Sequence, residues 1–91
     1  MNALLCRNRV IDFNNWKRVF ESHAQAHRAA GLHLKSLWRG IDEPKNVFFL
    51  FELTDLEKAR AFLKNPQASE AAATSGVLDG EYRFLESAPA D

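Results

Sequence analysis

The side chains best suited to chemistry are two histidines one helical turn apart. His23 and His27 lie in the segment WKRVFESHAQAH (residues 16–27), on the same apolar side as Trp16 and Phe20. A buried imidazole needs a donor and an acceptor, so two of them favour a space that holds water or a ligand. We therefore predict that these four residues line a ligand-binding cavity. A packed core, in which the two rings satisfy each other or a backbone carbonyl, remains the alternative.

Proton transfer is the chemistry that this pair suggests. A near-neutral imidazole removes protons well, and we assign His23 as the candidate general base. Arg39 is the candidate to hold an anionic or carbonyl oxygen of the ligand. It follows Trp38 on a predicted strand, so the two side chains point to opposite faces and only one of them can reach the cavity. Tyr82 could offer a hydroxyl, with core packing as its other role.

Metal and covalent chemistry have weaker support. His23 and His27 have the i, i+4 spacing of two metal ligands, and His33 could approach as a third. The segment HAQAH lacks the glutamate of the H-E-x-x-H motif. Cys6 is the single cysteine and has no motif linking it to a histidine. We expect no metal and no cofactor, and a metal-binding module stays open as a third hypothesis.

The elements that must position these residues follow from the hydrophobic periodicity. An apolar stripe at helical spacing runs through 13–30, and alternating or apolar runs bounded by turn residues indicate strands. The predicted order is β-α-β-β-α-β, with strands 3–10, 32–39, 47–53 and 79–86, helices 13–30 and 54–65, and a possible short helix over 67–76. This is the α+β ferredoxin-like arrangement, a four-stranded antiparallel sheet with both helices on one face.

Local signals set the ends of the predicted helices. Asp12 is a suitable N-cap for the first helix, and Gly31 stands where a left-handed C-terminal residue is wanted. Thr54 and Glu57 have the spacing of a capping box at the start of the second helix. Pro66 is expected to end that helix.

The composition limits the possible classes of protein. The chain has 91 residues, enough for one domain over 1–91, with 12 Lys and Arg against 12 Asp and Glu. The basic residues are dispersed, so we expect no nucleic-acid partner. No apolar run approaches the roughly 20 residues of a membrane span, so we expect no membrane partner. A lone thiol without a secretory leader indicates a cytoplasmic protein.

The strand at 47–53 has apolar residues on both faces. Val47, Phe49, Phe51 and Leu53 point one way, and Phe48 and Leu50 point the other. Two helices can cover only one face, so the second would be an exposed apolar patch. We predict that a second copy covers it in a homodimer. The alternative is a central strand whose back is covered by long Lys and Arg side chains.

Several motifs resemble those of a known superfamily. They are DFNNWKRVFESH at 12–23, Arg28, Gly31, WR at 38–39, DEPKNV at 42–47, DLEKARAFL at 55–63 and GV at 76–77. Together they resemble small bacterial proteins of the dimeric α/β-barrel superfamily, the antibiotic-biosynthesis-monooxygenase-like proteins. The resemblance implies a homodimer whose two sheets close into a barrel, with a ligand cavity between sheet and helices in each subunit.

The resemblance also implies a range of activities. Members include cofactor-independent monooxygenases of polycyclic aromatics, haem-degrading enzymes and isomerases. The monooxygenases use Asn, Trp and Arg around the substrate. Trp16 and Arg39 match by type, while Asn15 lies about 100° from Trp16 around the helix. We expect a cofactor-independent monooxygenase or a cyclase/isomerase acting on an oxygenated aromatic or polyketide-like compound, or else a non-catalytic ligand-binding or structural dimer.

Overall fold

A computed structural model describes residues 1–89 of the chain. Ala90 and Asp91, the end of the predicted domain, lie outside the described residues. The elements in chain order are β1 (Asn2–Val10), α1 (Phe13–Ser22), α2 (Ala24–Ala29), β2 (Leu32–Arg39), β3 (Asn46–Leu53), α3 (Leu56–Lys64), α4 (Pro66–Thr74) and β4 (Val77–Glu86). The predicted alternation of strands and helices is confirmed, and a pair of helices occupies each helical segment.

The four strands form one antiparallel sheet in the order β2-β3-β1-β4. β1 pairs with β3 and β4, and β2 pairs with β3 at the other edge. This order places the two strands that follow helices at the edges, as the ferredoxin-like arrangement requires. The α+β ferredoxin-like fold class is therefore confirmed.

Two of the predicted end signals are confirmed and one is wrong. The carboxylate of Asp12 accepts the Asn15 backbone N–H at 3.1 Å, and Gly31 has a φ of 77°. At the start of α3, Asp55 and not Thr54 is the N-cap, and it accepts the Lys58 backbone N–H at 2.9 Å. The Thr54 hydroxyl is directed elsewhere because it lies 3.2 Å from Nε2 of His33.

The segment predicted as one helix over 13–30 is broken at His23. Its backbone N–H donates to the Phe20 carbonyl at 3.1 Å instead of to the Val19 carbonyl. Two side chains occupy the Val19 oxygen, the His23 ring through Nδ1 and the Ser22 hydroxyl. Side chains that bond to the local backbone compete with the helical ladder, and this competition explains the break.

Pro66 starts a helix rather than only ending one. α3 ends at Lys64, and Asn65 caps α4 by accepting the Gln67 backbone N–H at 2.9 Å. Proline at the first position of a helix costs nothing in hydrogen bonding, because that N–H has no helical partner. β4 begins at Val77, two residues before the predicted start at 79.

The helices cover one face of the sheet, and the core lies beneath them. Val47, Phe49, Phe51 and Leu53 are all buried on that face, as the alternation predicts. The opposite face, which we call the open face, carries the alternate residues of each strand. Within residues 1–89, no helix is both long and apolar enough to cross a membrane.

Candidate functional site

A cavity of about 170 Å³ lies between the sheet and the helices. Its floor is made by side chains of the two central strands that point toward the helices. Directly opposed residues of antiparallel strands share a face, and Leu4 opposes Phe51 while Cys6 opposes Phe49. Asn8 follows two residues later on the same face of β1 and also lines the cavity. The floor is therefore apolar with one amide.

One wall is aromatic and comes from α1. The Trp16 and Phe20 rings stack with centroids 4.7 Å apart, and both lie on Phe49, at 5.4 and 5.2 Å. Trp16 is 2% exposed, so it anchors the helix to the sheet as well as lining the cavity. This wall offers flat faces of the kind on which a planar ligand stacks.

The opposite wall comes mainly from α4 and consists of small side chains. Ala68, Ala71, Ala72 and Ser75 recur at helical spacing and line the cavity. Short side chains at these positions leave the space that Leu or Phe would fill. The wall therefore accounts for the cavity, because a close-packed interior otherwise leaves few voids.

His23 lines the cavity at the break between α1 and α2. Its Nδ1 lies 2.9 Å from the Val19 carbonyl oxygen. A carbonyl oxygen can only accept, so Nδ1 carries the proton in the neutral ring and Nε2 is left as an acceptor. In this tautomer, Nε2 is the ring nitrogen that can accept a proton.

His27 lies one turn further along and is packed among aromatic rings. Its ring centroid lies 5.0 Å from that of Phe20, 5.3 Å from that of Phe51 and 5.6 Å from that of Phe62. Burial, with smaller contributions from the charges of His23 and Arg28, lowers the pKa of His27 to about 4. The imidazole is therefore neutral at pH 7, with one donor and one acceptor to offer.

Asn8 connects the floor to the aromatic wall. In the amide orientation that satisfies its neighbours, its carbonyl accepts the Trp16 Nε1–H at 3.3 Å and its NH₂ donates to the Arg7 carbonyl at 3.0 Å. The indole N–H thus has a partner inside a largely apolar space. Asn8 fixes the plane of the Trp16 ring from below.

Three of the residues proposed from the sequence do not line the cavity. The Arg39 guanidinium lies 4.2 Å above the Phe13 ring and donates to the Pro44 carbonyl at 3.1 Å. Trp38 opposes Phe48 across β2 and β3, so it lies on the open face and is 58% exposed. Tyr82 is 52% exposed on the edge strand β4, packed against Phe84.

The alternation of side chains along β2 places Arg39, and not Trp38, on the helix-covered face, but neither residue reaches the cavity. Arg39 opposes Val47 and so lies on the helix-covered face, but at the end of the edge strand, beside α1. Its guanidinium is held by a ring and a carbonyl there, and the expected role as oxyanion holder has no geometric basis in the subunit.

His33 does not join the other two histidines. It opposes Glu52 on the open face, whereas His23 and His27 lie beneath the helices. In residues 1–89, no three side chains among His, Cys, Asp and Glu are grouped to hold a metal ion. Cys6 lines the cavity, and burial raises the pKa of its thiol to about 12, so it is protonated at neutral pH.

Sequence reasoning missed two parts of the site. Asn8 is a polar residue at an inward position of β1, between Cys6 and Val10 in the alternation, and that position was a usable signal. The Ala and Ser positions of α4 also share one helical face. Small residues on a helix face indicate either close packing or open space, and only the neighbouring elements distinguish the two.

Comparison with known proteins identifies solved structures that share this fold. No protein-family model matches the sequence, and no curated protein matches it. Solved structures do match. A candidate antibiotic biosynthesis monooxygenase from Deinococcus radiodurans is 16% identical, with a TM-score of 0.69, and the match covers 100% of this chain and 96% of that one.

Two further structures show how broadly the fold is shared. SnoaB from Streptomyces nogalater, a cofactor-independent oxygenase solved as a variant, is 18% identical with a TM-score of 0.73 over 94% of this chain and 91% of that one. An uncharacterised NIPSNAP domain protein from Burkholderia xenovorans is 14% identical with a TM-score of 0.68 over 100% and 98%. The chain has the fold of antibiotic-biosynthesis-monooxygenase-like proteins, and the resemblance predicted from its sequence is confirmed at that level.

Proposed function

We propose that the protein binds a planar, oxygenated aromatic compound in the cavity and oxygenates it without a cofactor. The observation that carries this proposal is His23, whose Nδ1 is tied to the Val19 carbonyl at 2.9 Å while the ring lines an aromatic cavity. The oxygenase name of SnoaB, a structural neighbour, supports the choice of reaction.

In the proposed reaction, Nε2 of His23 removes a proton from a carbon made acidic by an adjoining carbonyl or phenol ring. The resulting carbanion reduces O₂, and a CH₂ group and O₂ become a carbonyl group and water. Trp16 and Phe20 hold the ring plane, so that the acidic carbon stays near the base. If the carbanion is reprotonated at another carbon instead, the same site is that of an isomerase.

Binding and turnover test this proposal together. We expect ring compounds with an acidic C–H to bind by calorimetry, and labelled O₂ to enter the product by mass spectrometry. His23→Asn keeps a side-chain donor and removes the base, so we expect binding with turnover lowered by about 10²-fold or more. His33→Gln changes a histidine on the open face and is expected to leave turnover unchanged.

The outcomes separate the alternatives. Exchange of substrate hydrogen with deuterated water, without incorporation of labelled O₂, would identify an isomerase. Binding without turnover of any compound would leave a non-catalytic ligand-binding protein.

A second pair of variants tests whether the cavity is the binding space. Ala72 lines the cavity and Ala73, its neighbour on α4, is exposed. Ala72→Leu is expected to fill the space and to weaken ligand binding by about tenfold or more, and Ala73→Leu to have no effect. Equal effects of both changes would place the ligand elsewhere.

We also propose that two copies associate through the open face. Five apolar side chains lie there, of which Leu5, Trp38 and Leu85 are 38%, 58% and 44% exposed, with Phe48 and Leu50 between them. A contiguous apolar patch of this kind is typical of an interaction surface, and a two-fold axis makes one patch its own partner.

Sedimentation at micromolar concentration tests the association. We expect a dimer for the native chain and a monomer for Phe48→Glu, which puts a carboxylate at the centre of the patch. Ile41→Glu is the control, because Ile41 is 98% exposed in the turn between β2 and β3. A native chain that sediments as a monomer would refute the proposal.

A further inference from the structure

In the described part of the chain, no carboxylate, ammonium or guanidinium group lines the cavity. The lining residues within 1–89 include no Asp, Glu, Lys or Arg, although the chain has 24 of them, 12 basic and 12 acidic. Arg39 stacks on Phe13 and Arg60 stacks on Phe84, and neither arginine belongs to the lining. A ligand with a full charge would therefore find no opposite charge inside.

Two ionisable groups of the lining, His27 and Cys6, are held neutral at pH 7. Burial lowers the pKa of His27 to about 4 and raises that of Cys6 to about 12. Burying an ionised group without a partner costs several kcal/mol, which is enough to exclude a carboxylate from an otherwise suitable cavity. The lining thus favours uncharged ligands.

The volume limits the number of rings. An apolar cavity of about 150 Å³ holds a benzene molecule, whereas sites for drug-sized ligands range from about 300 to 1,000 Å³. The present cavity measures about 170 Å³. It has room for one substituted ring or two fused rings, and a third ring would have to displace the α4 wall or extend outside.

The His27 ring is a polar group of the cavity that is free to receive the ligand. The side chains of Asn8, His23 and Ser75 are hydrogen-bonded within the protein, to Trp16 and Arg7, to Val19 and to Ala72 respectively. The ring nitrogens of His27 make no hydrogen bond to any residue in the described part of the chain. A ligand hydroxyl or carbonyl can bond to this neutral imidazole as donor or acceptor.

We infer that the site selects uncharged compounds of one or two fused rings that carry a hydroxyl or carbonyl, and discriminates against carboxylates and against three-ring systems. The inference rests on the proposed function, since it names the ligand class of that cavity. It follows from the absence of Asp, Glu, Lys and Arg in the lining, from the volume and from the unpaired His27 ring.

A matched series of probes tests the inference by calorimetry at pH 7. A naphthol and the corresponding naphthoate have the same rings and differ in charge, and anthrone adds a third ring. We expect the naphthol to bind about fivefold or more tightly than either of the others. A smaller preference over naphthoate would overturn the charge selection, and a smaller preference over anthrone would overturn the size limit.

A charge added to the wall sharpens the test. Gln67 lines the cavity at the start of α4, and Gln25 is exposed on α2 outside the lining. Gln67→Lys is expected to improve naphthoate binding relative to naphthol by about fivefold, and Gln25→Lys to leave the ratio unchanged. Equal ratios in the two variants would show that naphthoate does not bind beside this wall, against the inference.

The result also separates this inference from the proposed function. Selective binding of naphthol without turnover of any ring compound would leave the inference standing and refute the oxygenase. Turnover of a carboxylate or of a three-ring compound would refute the inference and leave the oxygenase proposal standing. Failure of every probe to bind would refute both.

Discussion

The two faces of the sheet are built from the same strands and end in different environments. On the helix-covered face, Phe49 and Phe51 are 6% and 3% exposed and pack against α1. On the open face, Phe48 and Leu50 are only half-buried, and Trp38 beside them is 58% exposed. The chain covers one face with its own helices and, within its described residues, leaves the other face exposed.

Charge is also divided between the faces. The open face carries an ion-pair cluster in which Arg7 lies 3.2 Å from both Asp79 and Glu81, and Arg9 donates to Asp79 at 2.7 Å. Within residues 1–89, the cavity lining on the other face has no Asp, Glu, Lys or Arg. Water can solvate the ion-pair cluster on the open face, whereas the cavity lining suits a small uncharged molecule.

The largest expected difference between the faces is between the two tryptophans. Trp16→Ala removes a ring that is 2% exposed and should lower the free energy of unfolding by about 3–5 kcal/mol in urea denaturation. Trp38→Ala should instead shift the midpoint of urea denaturation only as far as it weakens the association of two copies. The size of this shift should therefore depend on protein concentration. If Trp38→Ala lowered the free energy of unfolding by a similar amount at every protein concentration, the proposed difference between the two faces would be contradicted.

An intermediate effect is expected from the pH response of the covered face. The folded protein holds the pKa of His27 at about 4, below the ordinary 6.5, so the unfolded chain takes up a proton first as the pH falls. The free energy of unfolding should therefore decrease from about pH 6.5 to pH 4 and level off below. We expect a loss of about 1–2 kcal/mol, less than the full shift would give because part of the ring faces solvent.

The matched variants for this prediction are a histidine from each face. His27→Leu should remove most of the decrease between pH 6.5 and pH 4 in thermal unfolding, and His33→Gln should retain it. An unchanged slope in His27→Leu would show that another group controls the response.

The smallest effect is expected in the ion-pair cluster. Hydrogen bonds from Arg9 and Arg7 lower the pKa of Asp79 below its ordinary 3.8. The carboxylate therefore stabilises the fold above that pH, and this contribution is lost as the pH falls through the lowered pKa. Asp79→Asn should lower the melting temperature slightly at pH 7 and low salt, and the difference should vanish in high salt.

Some local features were readable without the fold. Asp12 caps α1 and Gly31 turns the chain as predicted, because both are set by the backbone of a few neighbouring residues. The two-sided apolar strand was also readable, since alternation alone assigns Phe48 and Phe49 to opposite faces. The break at His23 was not predicted, because it depends on which side chains occupy the Val19 carbonyl.

The candidate site was only partly predictable, because long-range packing brings part of it together. His23, His27, Trp16 and Phe20 share one helical face, and the structure places all four around the cavity. Arg39 and Tyr82 are on the edge strands and outside the cavity lining, so facing the helix-covered side did not bring them to the cavity. Asn8 and the α4 alanines entered the site through long-range packing.

The sequence by itself determined the order of the elements, the antiparallel sheet and the pairing of apolar residues on both of its faces. Short-range periodicity and capping chemistry decide these features, because they involve residues a few positions apart. Only the tertiary structure decided that small side chains of α4 face Trp16 and leave a cavity between them. The residues that bound it come from all four strands and all four helices, and no local pattern specifies how such distant segments meet.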